Sequence, residues 1–424
     1  MSLPQESCDV AIIGGGPAGS AAGTQLARAG LRVTILEKEK FPRFCIGESL
    51  LPHGNDLLRQ IGIWDKLEDA GFLRKYGAEF TTADDSCHHR LWFGDNLGPD
   101  HEFTYQVDRA SFDELLLNHA RENGCTVREE CKVTGMDEAD KTSATVQGEG
   151  PDGPFSIRAR WVIDASGRSS FAGPRLGLRR RETQKQRRVA IYAHFAGAVR
   201  NEGKAEGHIT IVRSCGGWFW MIPLAGDRMS VGLVLPAVQA KTAPGRSLED
   251  IFVESVAASP SVALRLAGAR RLSPLRATGD YSWKFSSFAT RRVLLTGDAA
   301  GFVDPIFSSG VLLALQSGLR AADLVVHADR RGRALRPWER LAYTRAVSGW
   351  MNRYARLIRA FYDRAGFEVF MSPNPVLQIP RSVARLVGGR TTPGPADRLR
   401  LRLFDLVCTL QKRLDVVPPI PSLR

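Results

Sequence analysis

Apolar residues fall into two rhythms along this chain. Near the N-terminus, Asp9-Val-Ala-Ile-Ile13 is a short β-branched run that meets Gly14-Gly-Gly16, the pattern of a strand buried on both faces entering a tight turn. Arg32-Val-Thr-Ile-Leu36, Trp161-Val-Ile163 and Val293-Leu-Leu295 repeat that pattern. The second rhythm is alternation or short β-branched runs between glycine-rich turns: Val189–Phe195, His208–Val212, Trp218–Ile222 and Met229–Leu235. These predict an antiparallel sheet. Beyond residue 330 the spacing becomes helical. Ser348–Phe370 is rich in aromatics and arginines, and Leu399, Leu403, Leu406, Val407, Leu410 and Leu414 form one stripe among Arg398, Arg400, Arg402, Lys412 and Arg413. That stripe predicts a helix docked on the main body; a lid over a substrate entrance or a membrane-surface helix would fit it too. Pro418-Pro-Ile-Pro421 ends it, and no internal repeat is seen.

Composition narrows the class. The 424 residues are 43% hydrophobic and 24% charged, which excludes a wholly disordered, collagen-like or disulfide-stapled chain. At about 150 residues per domain, two to three domains are expected. The seven cysteines, Cys8, Cys45, Cys87, Cys125, Cys131, Cys215 and Cys408, are odd in number and show no C-x-x-C pair. His88 and His89 beside Cys87 lack zinc spacing, so no metal is expected. A reducing compartment fits these thiols. No apolar run reaches the ~18 residues of a membrane span, and no basic leader precedes Gly14; a cytoplasmic protein is expected. The net charge of +13 leaves four readings open: nucleic acid, an anionic surface, an acidic partner or a plain solvated basic surface.

The first chemical motif is Gly14-x-Gly16-x-x-Gly19, placed between a strand and the small-residue stretch Pro17-Ala18-Gly19-Ser20. The first glycine makes the turn, the second lets backbone approach a pyrophosphate, and the third lets helix pack on strand. Glu37 follows the second strand, 18 residues after Gly19, where an acid binds a ribose hydroxyl pair. The motif alone does not choose between NAD and FAD.

Three further segments choose FAD. Asp164-Ala-Ser-Gly-Arg168, Gly297-Asp298 after a buried strand, and Gly301-Phe-Val-Asp-Pro-Ile-Phe-Ser-Ser-Gly310 before an apolar helix together resemble the FAD-dependent monooxygenase superfamily. Trp218-Phe-Trp-Met-Ile-Pro223 fits W-x-W-x-I-P, the signature of its flavin-dependent halogenases. Phe41-Pro-Arg-Phe-Cys-Ile-Gly-Glu-Ser-Leu-Leu-Pro52 resembles that family's P-R-x-x-I-G-E-S-x-x-P segment, and Lys75 falls in its K-x-G segment. The resemblance covers about residues 8–330 and is closest to halogenases of phenols and carrier-bound pyrroles.

The resemblance implies an α/β fold: a Rossmann-like FAD-binding domain (1–75, 104–185 and 276–330) interleaved with an antiparallel substrate sheet (76–103 and 186–275), plus helices over 331–424. It implies a nucleotide cradle of Gly14, Gly16, Pro17, Ala18, Gly19, Glu37, Lys38 and Val133. It places Arg43, Ile46, Gly47, Glu48, Ser49 and Arg109 near the flavin, and Asp298, Pro305, Gly310 and Val311 on its ribityl and ring side. Ser309 and Gly310 match the halide position, at a helix start where N–H groups hold an anion. Trp218, Trp220, Ile222 and Pro223 match a wall between flavin and organic substrate, with Phe302 and Phe307 as further shields.

The implied chemistry uses FAD supplied reduced, oxygen and chloride or bromide. Hypohalous acid travels to the catalytic Lys75, which binds it as an ammonium or captures it as a haloamine, and an electron-rich ring is halogenated. Tryptophan halogenases carry a glutamate where Phe307 stands, which argues against free tryptophan and for a phenol or pyrrole, free or carrier-bound. No second nucleotide fingerprint appears, so a separate flavin reductase is the expected partner, with the chain a monomer or homodimer. Cys45 keeps rivals open: an inert thiol, or a redox residue as in geranylgeranyl-reductase-like C=C reductases. An aromatic monooxygenase and a flavin-binding protein without catalysis fit the same cofactor motifs. Part of the positive charge clusters at Arg175, Arg179, Arg180, Arg181, Lys185, Arg187 and Arg188. No nucleic-acid motif accompanies it; an acidic carrier protein or a solvated surface are the remaining explanations.

Overall fold

A computed structural model describes every residue except 1–4, 139–141, 183–186, 215, 241–245, 281, 373–377 and 424. Lys185 and Cys215 therefore lie outside the described residues.

The unbroken apolar runs form one seven-stranded sheet. Gln5–Ile13 sits between Val33–Leu36 and Gly153–Asp164, parallel to both, and Thr126–Arg128 extends the first side. Gly153–Asp164 is long enough to share its other edge. Ala144–Gly150 pairs antiparallel with its first half, and Val293–Leu295 runs parallel to its end. Register aligns Ile13, Asp164 and Leu295 side by side, so three strands end together and hand over to Gly14, Ala165 and Thr296. That carboxyl edge is where open α/β sheets bind ligands.

Helices Pro17–Arg28 and Gly310–Asp329 pack against each other at this edge. A Cβ on Gly318 would stand 2.4 Å from the Ala18 carbonyl oxygen, so the two backbones touch. Gly310–Asp329 is long and apolar enough to span a membrane by length and composition alone. It is a core helix, with Leu312, Leu315, Leu319 and Val325 buried.

The alternating runs form a second, eight-stranded sheet. Its order is Arg270–Arg271, Arg188–Ala196, Arg228–Pro236, Trp218–Leu224, Ile209–Arg213, Gly77–Thr82, His88–Trp92. Arg276–Asp280 pairs with Arg188–Tyr192, so the boundary expected at 276 falls inside this sheet. Alternation divides its central strand between two cores. Trp218, Trp220, Ile222 and Leu224 join the main core. Phe219 and Met221 join a smaller one with Ile251 and Phe252. Two smaller sheets complete the strands: Leu73–Lys75 with Thr104–Gln106, and Arg180–Glu182, Trp283–Phe285 and Gly301–Phe302 in that order.

The C-terminal region is helical: Pro337–Tyr362, Arg364–Met371, Ile379–Val387 and Pro395–Leu414. The last helix docks with only part of its expected stripe: Leu403 and Val407 pack on the main core, while Leu399 and Leu414 are 60% and 66% exposed and Leu406 and Leu410 also face solvent. Polar anchors turn the other face inward. Gln411 donates to Glu368 (2.9 Å) and accepts from the Val417 N–H (2.8 Å), while Asp397 accepts from Ser382 (2.8 Å) and Arg385 (3.0 Å). Phe404 and Cys408 fill the space between them. A buried polar group left without a partner costs more than an exposed leucine, so the anchors set the rotation.

Candidate active site

The glycines are where backbone contact requires them. Gly14 has φ +104°, and a Cβ there would lie 2.5 Å from the Ala165 carbonyl oxygen; one on Gly19 would lie 2.0 Å from that of Gly14. Gly16 caps Pro17–Arg28 without a side chain, and its missing Cβ faces Arg43 at 3.5 Å. The free N–H groups of this helix start are therefore approachable, as a phosphate needs. The buried Glu37 carboxylate accepts the Gly15 N–H (2.7 Å) and the Glu39 N–H (3.0 Å), which fixes it at the rim of the cradle. Lys38 points outward beside Glu39, and Val133 is buried opposite Gly148.

Asp164 closes the cradle from the next strand. Its oxygens accept the Ser166 (3.0 Å) and Ala172 (2.6 Å) N–H groups, so its role is to shape the loop. Asp298 differs. It follows Val293–Leu295 on a short turn and makes no side-chain hydrogen bond among the described residues. Burial raises its carboxyl to about 6, against the pull of Arg168 and Arg109. A half-buried carboxylate with no hydrogen-bond partner among the described residues is what a ribityl hydroxyl would satisfy.

The segment that follows turns sharply into Gly310–Asp329. Asp304 is buried and its Oδ1 accepts the Ile306 N–H (3.2 Å); Ser308 has φ +55°; Ser309 is buried and Gly310 is exposed with open space where a Cβ would stand. The start of a twenty-residue helix is thus uncovered at Gly310, with Pro305 exposed and Val311 buried on either side. Phe302 is half-buried under Arg168, whose guanidinium lies 5.4 Å from its ring. Phe307 sits in an aromatic cluster with Phe80, Phe361 and Phe370 at 5.9–6.2 Å.

One five-residue segment, Ile46–Leu50, joins two buried cations. At one end, Arg109 donates to the carbonyls of Ile46 (2.9 Å) and Gly47 (3.3 Å) and forms a two-bond pair with Asp113 (2.8 and 2.9 Å). Burial opposes its charge, yet Asp113, Cys45 and Asp298 hold its pKa above the ordinary value. Arg43 shares Asp113 at 3.2 Å. At the other end, Lys75 is 1% exposed, and its Nζ donates to Ser49 Oγ (2.9 Å) and the Leu50 carbonyl (3.0 Å). Burial lowers its pKa to about 7. Between them, the buried Glu48 meets His194 Nε2 at 2.6 Å and leaves Oε2 unsatisfied. His208 stacks edge-on against Trp92 at 4.5 Å; burial and then Lys75 push it down to about 3, so it stays neutral. Both its ring nitrogens lack a hydrogen-bond partner among the described residues.

The indoles of Trp218 and Trp220 lie 5.9 Å apart, and Ile222 and Pro223 are buried beyond them. Trp220 depends on the strand beside it: its ring occupies the space a Cβ on Gly232 would take, at 2.1 Å. Trp220 Nε1 donates to Ser230 (3.2 Å) and Trp218 Nε1 to the Tyr362 hydroxyl (2.7 Å). Asp113, His194, Gly232 and Tyr362 were not singled out from sequence. Only Asp113 carried a signal, the helical i,i+4 spacing from Arg109. Elsewhere, His53, Asp56 and His101 converge; His101 lies 2.7 Å and Arg59 3.6 Å from the Asp56 carboxylate, and these pairs account for that cluster.

A glycine cradle at the strand ends, an unpartnered carboxylate and an open helix start define an FAD-dependent oxidoreductase, and residues 7–340 match the FAD binding domain family. The chain belongs to the flavin-dependent halogenases. It is 33% identical over 342 residues to the 1H-pyrrole-2-carbonyl-(peptidyl-carrier protein) chlorinase of Pseudomonas fluorescens, covering 76% of each chain. It is 34% identical over 371 residues to the tryptophan 2-halogenase of Chondromyces crocatus, covering 86% of this chain and 69% of that one. Among solved structures, it resembles a flavoprotein/dehydrogenase from Cytophaga hutchinsonii with a TM-score of 0.87 and 28% identity, over 96% and 99% of the two chains.

Proposed function

We propose that this enzyme oxidises chloride or bromide and transfers the halogen through Lys75 to an electron-rich phenol or pyrrole. The observation that carries the reading is the state of Lys75: sealed from water, hydrogen-bonded to two neutral acceptors over the Phe93 ring, and lowered to about 7 by burial. When bound and reduced, FAD supplies, with oxygen, the two-electron oxidation that turns halide into hypohalous acid. Gly14, Gly16 and Gly19 would hold its pyrophosphate, Asp298 its ribityl chain, and the Gly310 helix start the halide.

Lys75 favours capture by the amine over simple hydrogen bonding. A neutral amine has two N–H bonds, and its two acceptors are Ser49 and Leu50; its lone pair is then free. The amine takes halogen from HOX, releasing water, and becomes R–NHX. The ring then takes the halogen, its displaced proton returns to nitrogen, and the amine is restored. Neutral His208 beside it keeps a second cation out of the chamber.

Phe307 in place of a carboxylate favours a substrate activated by its own ring heteroatom or hydroxyl. The relationship to a carrier-protein chlorinase supports delivery on an acidic carrier, steered by Arg175, Arg179, Arg180, Arg181 and Arg187. A separate flavin reductase supplies the reduced cofactor. The C=C reductase reading has weaker support, because among the described residues the Cys45 thiol bonds only to the neighbouring Ile46 carbonyl at 3.5 Å.

The test combines the protein with a flavin reductase, NADH, FAD and chloride or bromide. Free and carrier-bound phenols and pyrroles are the acceptors, with mass spectrometric detection. Halogenated product that vanishes in Lys75→Ala supports the reading. Rapid NADPH oxidation by the purified protein alone, without halogenation, would overturn it.

A further inference from the structure

We infer that Tyr362 is a positioning residue that ties the tryptophan wall to the turn in front of the halide-side helix. The inference rests on the halogenase reading above.

Tyr362 closes helix Pro337–Tyr362, beyond the motif-bearing residues 8–330. Its hydroxyl lies 2.7 Å from Trp218 Nε1 and 2.7 Å from Asp304 Oδ2. The direction of the bonds is fixed by chemistry. An indole N–H only donates and an ionised carboxylate only accepts, so the hydroxyl accepts from Trp218 and donates to Asp304. Asp304 passes the constraint on: its other oxygen accepts the Ile306 N–H at 3.2 Å, within the Pro305–Phe307 turn that leads through Ser308 to Ser309 and Gly310.

The tyrosine is itself clamped. Arg213 Nη2 donates to its carbonyl at 3.1 Å, and the Arg188 guanidinium lies 3.5 Å from the centre of its ring. Arg213 also bonds to the Phe361 carbonyl, and Phe361 packs edge-on against Phe307 at 5.9 Å. The helix end therefore holds the turn twice, through Asp304 and through Phe307. Burial and Asp304 keep the phenol protonated, consistent with its donor role. One side chain thus ties the wall to the turn that leads to the proposed anion site. Catalytic geometry this strict is lost by small displacements.

The test is the fate of oxidising equivalents in Tyr362→Phe, which removes one oxygen and keeps the ring beneath Arg188. Each protein is given reduced FAD, oxygen and bromide. Hydrogen peroxide is measured directly, and oxidised halogen as catalase-resistant bleaching of thionitrobenzoate. The variant is expected to bind FAD within about twofold of the wild type. Its oxidised halogen should fall at least about fivefold, with peroxide rising in balance, and its bromide KM should rise several-fold. A purely structural role would lower thermal stability without moving this partition. If Tyr362→Phe is not recovered folded, Asp304→Asn, which breaks the same donor–acceptor order, is expected to show the same shift. Wild-type partition and bromide KM in the folded variant overturn the inference alone. Absence of oxidised halogen in the wild type overturns the halogenase reading and this inference with it.

Discussion

Arg109 and Lys75 are both buried cations, held at opposite ends of Ile46–Leu50, and the protein treats their charges oppositely. Arg109 meets a carboxylate through two bonds, and its charge is locked. Lys75 meets a hydroxyl, a carbonyl and, at 5.2 Å, the Phe93 ring, none of them charged, and burial makes its charge conditional. The lesson is that burial alone does not decide protonation; the partner does. Under the proposed function, a locked cation would serve the flavin end and a deprotonatable amine the end where halogen is transferred.

The largest effect should come from exchanging the two kinds of cation. Lys75→Arg keeps charge but forbids the neutral state, so halogenation should vanish as completely as in Lys75→Ala, while FAD titration stays normal. Product from Lys75→Arg would show that charge, not the amine, is what the chamber requires. Next, Asp113→Asn leaves Arg109 buried without its counter-ion. Chemical denaturation should show a loss of about 3–5 kcal/mol, with weakened FAD binding. Gly232→Ala drives a Cβ into the Trp220 ring and should cost about 1–3 kcal/mol, with more peroxide released per turnover.

The pH profile sharpens the contrast further. With Lys75 near 7, single-turnover halogen transfer should rise through pH 7 and level off above it; a fall through 7 would favour the ammonium. Stability should follow the same group. The folded value lies below the ordinary 10.5, so the cost of burying the charge is fully present below about 7 and disappears as pH rises toward 10.5. That slope should be absent in Lys75→Met. The smallest effect is Ser49→Ala, which removes one acceptor and should cost about 1 kcal/mol, seen as a shifted pH midpoint.

The cradle end was legible because its signals are local. Gly14, Gly16 and Gly19 are needed by backbone geometry, and unbroken apolar runs mark strands buried on both faces. The Lys75 end was legible only as a resemblance. Its chamber is made of side chains from positions 49, 92, 208 and beyond, and no spacing rule relates them. The C-terminal helices show the limit most clearly. Periodicity located the last helix, yet Gln411 and Asp397, two polar residues beside the stripe, turned its docked side toward Phe404 and Cys408. Tyr362 left no trace at all, since its partners stand 58 and 144 positions away.

The contact between Ala18 and Gly318 bears on how the enzyme is made. The helix starting at Pro17 leaves the ribosome before the helix that seats against it, which ends at Asp329, some three hundred residues later. Loop-closure of that span must precede a finished pocket. Cofactor loading is accordingly a late event in synthesis, and a nascent chain stalled before residue 310 should emerge colourless.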